Sequence, residues 1–180
     1  IKCSNENLAD PTGTNAFAMS GDAGELVLEN IRIEGPDVIN VGAEAYFDVV
    51  YADGAGGKMR AVNATLPKAS SCLRVSSSEE WGGFIEAYFS RLRGYGGTYY
   101  ATPIIVNSVD GSKSEEKFVK AYFCEFEEWG LDADNHYHGL YIYTDWNVDV
   151  CFCKFRNAAG DGWSIHLYEE FPDPWPKGDH

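Results

Sequence analysis

Basic side chains are scarce in this chain of 180 residues: 14 Lys and Arg stand against 28 Asp and Glu, a formal charge of −14. Such a surface repels a lattice of phosphates, which argues against nucleic acid and anionic membrane as partners. No apolar run approaches the roughly 18 to 20 residues that a membrane span requires, and Ile1-Lys2-Cys3 has neither the basic nor the apolar part of a signal peptide, so the expectation is a soluble or already processed product. Nucleophile elbows, P-loops, H-E-x-x-H pairs and dinucleotide-binding glycine motifs are missing too, which removes the enzyme classes that announce themselves by a short motif.

Apolar residues are plentiful at 44%, with 14% aromatic, so the chain can build a core, and its length fits one domain. The expected organisation is an irregular N-terminal arm over 1–24, a single β-rich domain over 25–170, and an extended tail over 171–180 that carries Pro172, Pro174 and Pro176. Five cysteines and the glycosylation sequon Asn63-Ala64-Thr65 point to a secreted, extracellular glycoprotein.

Strands are announced by alternation. Leu26 and Leu28, then Ile31 and Ile33, fall on either side of Asn30, and two apolar runs flank Asp53-Gly54-Ala55-Gly56-Gly57 with hairpin chemistry. Asp110-Gly111-Ser112 predicts a second hairpin and Thr144-Asp145 a third, with strands near 136–143 and 147–156. The stretch GPDVINVGAEAYFDVVYADG resembles the strand-turn-strand of extracellular immunoglobulin-like modules over about 20 residues; no Cys-Trp-Cys spacing accompanies it, and no family is assigned. Trp81, Phe84, Ile85, Tyr88, Phe89 and Leu92 recur at helical spacing behind Ser77 and Glu80, which predicts one amphipathic α-helix over about 77–93 with its stripe in the core. The economical fold is an antiparallel β-sandwich or jelly roll carrying that helix.

A two-residue turn at Thr144-Asp145 would set His138 across from Cys151 and His136 across from Cys153, all four on one face. Two imidazoles and two thiolates form a zinc ligand set, yet zinc sites draw ligands from loops and knuckles more than from flat paired strands, and C-x2-C is absent. Asp132 and Asp134 extend the alternation toward a calcium-binding run without the EF-hand's glycine or bidentate glutamate. No cofactor is therefore predicted, with Zn or Ca as the lesser alternative. Disulfides are the stronger reading for Cys3, Cys72, Cys124, Cys151 and Cys153: Cys3 with Cys72, and Cys124 with Cys151 or Cys153.

Two function classes remain. A carbohydrate-active enzyme would use paired carboxylates at Glu125 and Glu127, with His136 near them. A binding or assembly module would use aromatic surface, and Trp129, Trp146 and Trp175 stand in turn or tail segments where a core role is least automatic. The reading adopted is the second: a secreted, acidic, non-catalytic module for an extracellular glycan or protein, copies of itself included, with the glycosidase or lyase as alternative.

Overall fold

The computed structural model describes residues 14–20, 24–34, 47–53, 58–77, 83–94, 102–108, 117–129, 138–143, 146–158 and 162–168. They form strands only, wound as successive coils. The first coil holds β1 (Thr14–Ser20) and β2 (Glu25–Glu29); the second β3 (Phe47–Asp53), β4 (Lys58–Val62) and β5 (Thr65–Ala69); the third β6 (Ser71–Ser77), β7 (Phe84–Tyr88) and β8 (Arg91–Gly94). The fourth holds β9 (Ile104–Ser108), β10 (Phe118–Tyr122) and β11 (Glu125–Glu127), and the fifth β12 (Leu140–Tyr143), β13 (Asn147–Cys151) and β14 (Lys154–Arg156), after which β15 (Ile165–Tyr168) begins another turn.

Strands stack on their counterparts one coil away and never on their neighbours in sequence. The first sheet runs β1-β3-β6-β9-β12-β15, the second β2-β4-β7-β10-β13 and the third β5-β8-β11-β14, every pairing parallel. The fold is a three-sided parallel β-helix, in which each coil contacts the coils before and after it.

This overturns the antiparallel β-sandwich. The strands flanking Asp53–Gly57, Asp110–Ser112 and Thr144-Asp145 lie in different sheets and do not pair as hairpins. The immunoglobulin-like reading fails for the same reason where it meets β3, and residues 35–46 of that stretch lie outside the described residues. The helix over 77–93 is also corrected: the described part of it is β7, a one-residue corner at Phe89, and β8. Ile85 and Ala87 face inward, Phe84 and Tyr88 outward, and the corner then shifts the alternation by one, so that Ser90 and Leu92 face inward. Mixing two faces across a corner imitates a 3.6-residue period. Ile85 is fully buried as expected, whereas Phe89 is exposed.

The interior is built from rows that run along the coil axis. Val50, Leu73, Ile104, Leu140 and Ile165 stack in register on the first sheet, Leu28, Ala61, Ala87, Ala121 and Val150 on the second, and Leu92, Phe126 and Phe155 on the third. Each row is shielded by the coil on either side, which is why Leu140 and Ile142 are fully buried while their partners in β15, Ile165 and Leu167, are 38% and 51% exposed. β1 lies within the 1–24 segment expected to be irregular.

Candidate functional site

The corner between the second and third sheets is described in all five coils. One residue makes each turn: Asn30, Asn63, Phe89, Phe123 and Phe152, with φ between 49° and 56°. The geometry suits asparagine, which tolerates the left-handed region. The backbone ladder crosses the corner unbroken: Asn30, Asn63, Phe89 and Phe123 each donate their amide to the coil above, at 2.9 to 3.1 Å, and Thr65, Arg91, Glu125 and Lys154 donate to the coil below, at 2.8 to 2.9 Å. The corner is thus held by main chain whatever side chain it carries.

The side chains form two kinds of rung. In the first two coils Asn63 Nδ2 donates to Asn30 Oδ1 at 2.8 Å. In the next three, Phe89, Phe123 and Phe152 stack face on face, with centroids 5.2 and 5.1 Å apart and planes within 7° of parallel. These rings are 63%, 53% and 79% exposed. Asn63, the sequon's acceptor, is exposed one rung from Phe89.

Both flanks of this ridge carry ordered rows. On the second sheet Phe84 stacks on Phe118 at 5.0 Å and Tyr88 lies 5.6 Å from Tyr122. Glu86, Lys120 and Asp149 occupy equivalent outward positions there. Arg60 donates to Glu86 at 2.6 Å, and Lys120 Nζ sits 4.4 Å from the Phe118 ring centre. Tyr122 donates its hydroxyl to Asp149, which pushes the phenol up to about 12 and holds the carboxyl below its usual range. On the third sheet Arg91 Nε donates to Glu127 at 2.8 Å, Arg156 pairs with Glu125 at 2.9 Å, and Lys68 pairs with Glu128.

Behind the ridge the inward row is Ile31, Ala64, Ser90, Cys124 and Cys153. Ser90 Oγ accepts from the Ala64 amide at 3.1 Å and donates to a neighbouring carbonyl. Cys124 Sγ donates to the Tyr122 carbonyl at 3.4 Å and Cys153 Sγ to the Ala121 carbonyl at 3.2 Å; burial pushes Cys124 up to about 12 and raises Cys153 as well.

The residues singled out from sequence are therefore dispersed. Glu125 and Glu127 do share the outer face of β11, but both are engaged by guanidinium groups. Trp129 and Trp146 are 3% and 5% exposed and belong to the core, so they are not the exposed aromatic surface expected of them. The paired-strand cluster does not form, because β12 and β13 lie in different sheets: Cys151 and Cys153 are at the ridge corner, while His138 precedes β12 of the first sheet. His138 Nδ1 accepts the Trp163 amide at 3.0 Å, which leaves Nε2–H to donate to His166 Nδ1 at 2.7 Å. Among the described residues no three His, Cys, Asp or Glu side chains gather as a metal site. Among the described residues no two of Cys72, Cys124, Cys151 and Cys153 lie at disulfide distance, so the pairing of Cys124 with Cys151 or Cys153 does not form. Asp132, Asp134, His136, Trp175 and Cys3 lie outside the described residues. What sequence reasoning passed over is the ridge itself, whose signal was a recurring pattern ending in Asn or Phe: GELVLEN, GKMRAVN, GFIEAYF, KFVKAYF, WNVDVCF. No protein-family model, curated protein or solved structure matches the chain.

Proposed function

We propose that this protein is a secreted, non-catalytic binding or assembly module whose contact surface is the Phe89–Phe123–Phe152 ridge. The supporting observation is three phenylalanines exposed at positive φ, where the first two coils use asparagine. A non-glycine residue in that region carries strain of order 1 kcal/mol, least for Asn. Ring stacking returns about 0.5 to 1.5 kcal/mol per pair. The main-chain ladder needs no ring, so large exposed apolar side chains on this scaffold are better accounted for by a contact than by folding.

The partner favoured is protein. Stacking covers both faces of Phe123 and one face each of Phe89 and Phe152, which leaves ring edges along the ridge and one outer face at either end. Sugars stack on ring faces, whereas apolar side chains pack against edges equally well. The alternative enzyme gains no comparable support, since Glu125 and Glu127 are already paired with Arg156 and Arg91.

A photo-cross-linking residue at position 123, used in the protein's own source fluid, tests the reading. The expected result is a protein adduct that disappears when Phe89 and Phe152 are replaced by Asn and does not form from the same probe at position 167, exposed on the first sheet away from the ridge. Equal capture from both positions overturns the ridge as the contact surface. Glycan turnover lost in Glu125→Gln overturns the non-catalytic assignment.

A further inference from the structure

We infer that the ridge's partner is a second copy of the same chain, packed ridge to ridge with the two coil axes parallel; this rests on the ridge being a contact surface. The inference comes from the charges flanking each ring. On the second-sheet flank, three residues before the ring, stand Glu86, Lys120 and Asp149. On the third-sheet flank, two and four residues after it, stand Arg91 and Arg93, then Glu125 and Glu127, then Lys154 and Arg156. Reading along the coils, one flank is negative, positive, negative, and the other is positive, negative, positive with doubled charge.

Alternation along each flank stabilises the chain itself, because neighbours across parallel strands attract. That leaves the phase between the flanks unexplained, and they are opposed at all three phenylalanine rungs. The opposition ends where the ring ends: in the Asn63 coil Arg60 has the same sign as Lys68, which a register shift sets beside Arg93.

A two-fold axis parallel to the coils exchanges the flanks and preserves the rung. Phe89 then meets Phe89 of the copy, and Glu86 faces Arg91, Lys120 faces Glu125, and Asp149 faces Lys154, each contact occurring twice. Turning the copy end over end instead keeps each flank on its own side and opposes Lys120 to Lys120. The charges therefore select the parallel arrangement as well as the copy. Each facing pair includes a Lys or Arg, whose length spans two convex corners. Three rungs at strand spacing cover only about 10 to 15 Å, a small contact that fits a reversible dimer.

The test uses the full chain at about 1 to 500 µM in sedimentation velocity. Wild type is expected to dimerise reversibly. Asp149→Lys and Lys154→Asp should each weaken it by about tenfold or more, since each sets like charges together twice. An equimolar mixture of the two variants should restore it, because both contacts are then opposite in sign. Mixing cannot repair a folding defect, so restoration identifies the interface. A monomer at every concentration, or a mixture no tighter than its components, overturns the second copy as partner. A ridge-dependent cross-link to a different protein would overturn it while leaving the ridge as a contact surface, and a dimer untouched by Phe123→Asn and Phe152→Asn overturns both.

Discussion

The corner ladder places two chemistries on one backbone. Asn30 and Asn63 satisfy their corner with a side-chain hydrogen bond, while Phe89, Phe123 and Phe152 occupy the same φ with stacked, solvent-facing rings. Because main-chain bonds cross the corner in either case, the side chain there is released from folding and is open to another use. A second contrast sharpens the point: Phe126 and Phe155 stack at 4.9 Å inside the coil, where Phe126 is fully buried. Two phenylalanine stacks of nearly equal spacing, one inside and one outside, should respond to substitution in opposite ways.

The largest effect is expected inside. Phe126→Ala should cost about 3 to 5 kcal/mol in urea unfolding, since it opens a cavity between coils. A loss near zero would mean that the inner stack does not hold the coils together. Next comes the asparagine end: Asn63→Val removes the bond to Asn30 and puts a β-branched side chain at positive φ, for a loss of about 1 to 3 kcal/mol. Phe123→Asn should cost less, about 0 to 2 kcal/mol, because it ends two ring stacks while relieving the strain of a ring-bearing residue at positive φ. A loss as large as that of Phe126→Ala would show the outer rings to be structural after all.

The smallest effect is on pH dependence, and the groups beside the rings carry it. Cys124 and Tyr122 are both held protonated, up to about 12, the thiol by burial and the phenol by its bond to Asp149. Folded-state pKa values above the unfolded ones give stability that is complete below about pH 9 and is lost as pH rises toward 12. Asp149 has the opposite sign: its depressed value gives stability present above its unfolded pKa of about 4 and lost as pH falls through the folded one. Tyr122→Phe should therefore flatten part of both limbs of a stability–pH curve. A curve identical to wild type would place the Tyr122–Asp149 bond outside the energetics of folding.

Much of the strand content could be read from the sequence, and the pairing could not. Alternation at Leu26 and Leu28 states which face is buried, but a parallel strand one coil away and an antiparallel neighbour bury that face equally well. Glycine-rich turns at Asp53–Gly57 mark where the chain bends without stating which sheet it bends toward. Trp129 and Trp146 looked exposed because they flank turns, yet both are buried in the core. The repeat that identifies the fold was present in GFIEAYF and KFVKAYF, but its corner returns at intervals of 33, 26, 34 and 29 residues, so no constant period reveals it. Glu125 and Glu127 were correctly placed on one face; their arginine partners come from strands one coil away, beyond the reach of local pattern.

Those unequal intervals determine how such a chain can change over time. Eleven of its 14 Lys and Arg but only ten of its 28 Asp and Glu fall in the described residues, so the remaining three bases and 18 acids lie outside them. The interval from corner to corner varies, while the second-to-third-sheet unit keeps one residue at its corner in each of the five described coils. Insertions between sheets therefore leave the ladder's register untouched, and duplication of a whole coil would lengthen the ridge by one ring. Descendants of this chain can diversify their loops and still inherit, rung for rung, the same line of contact.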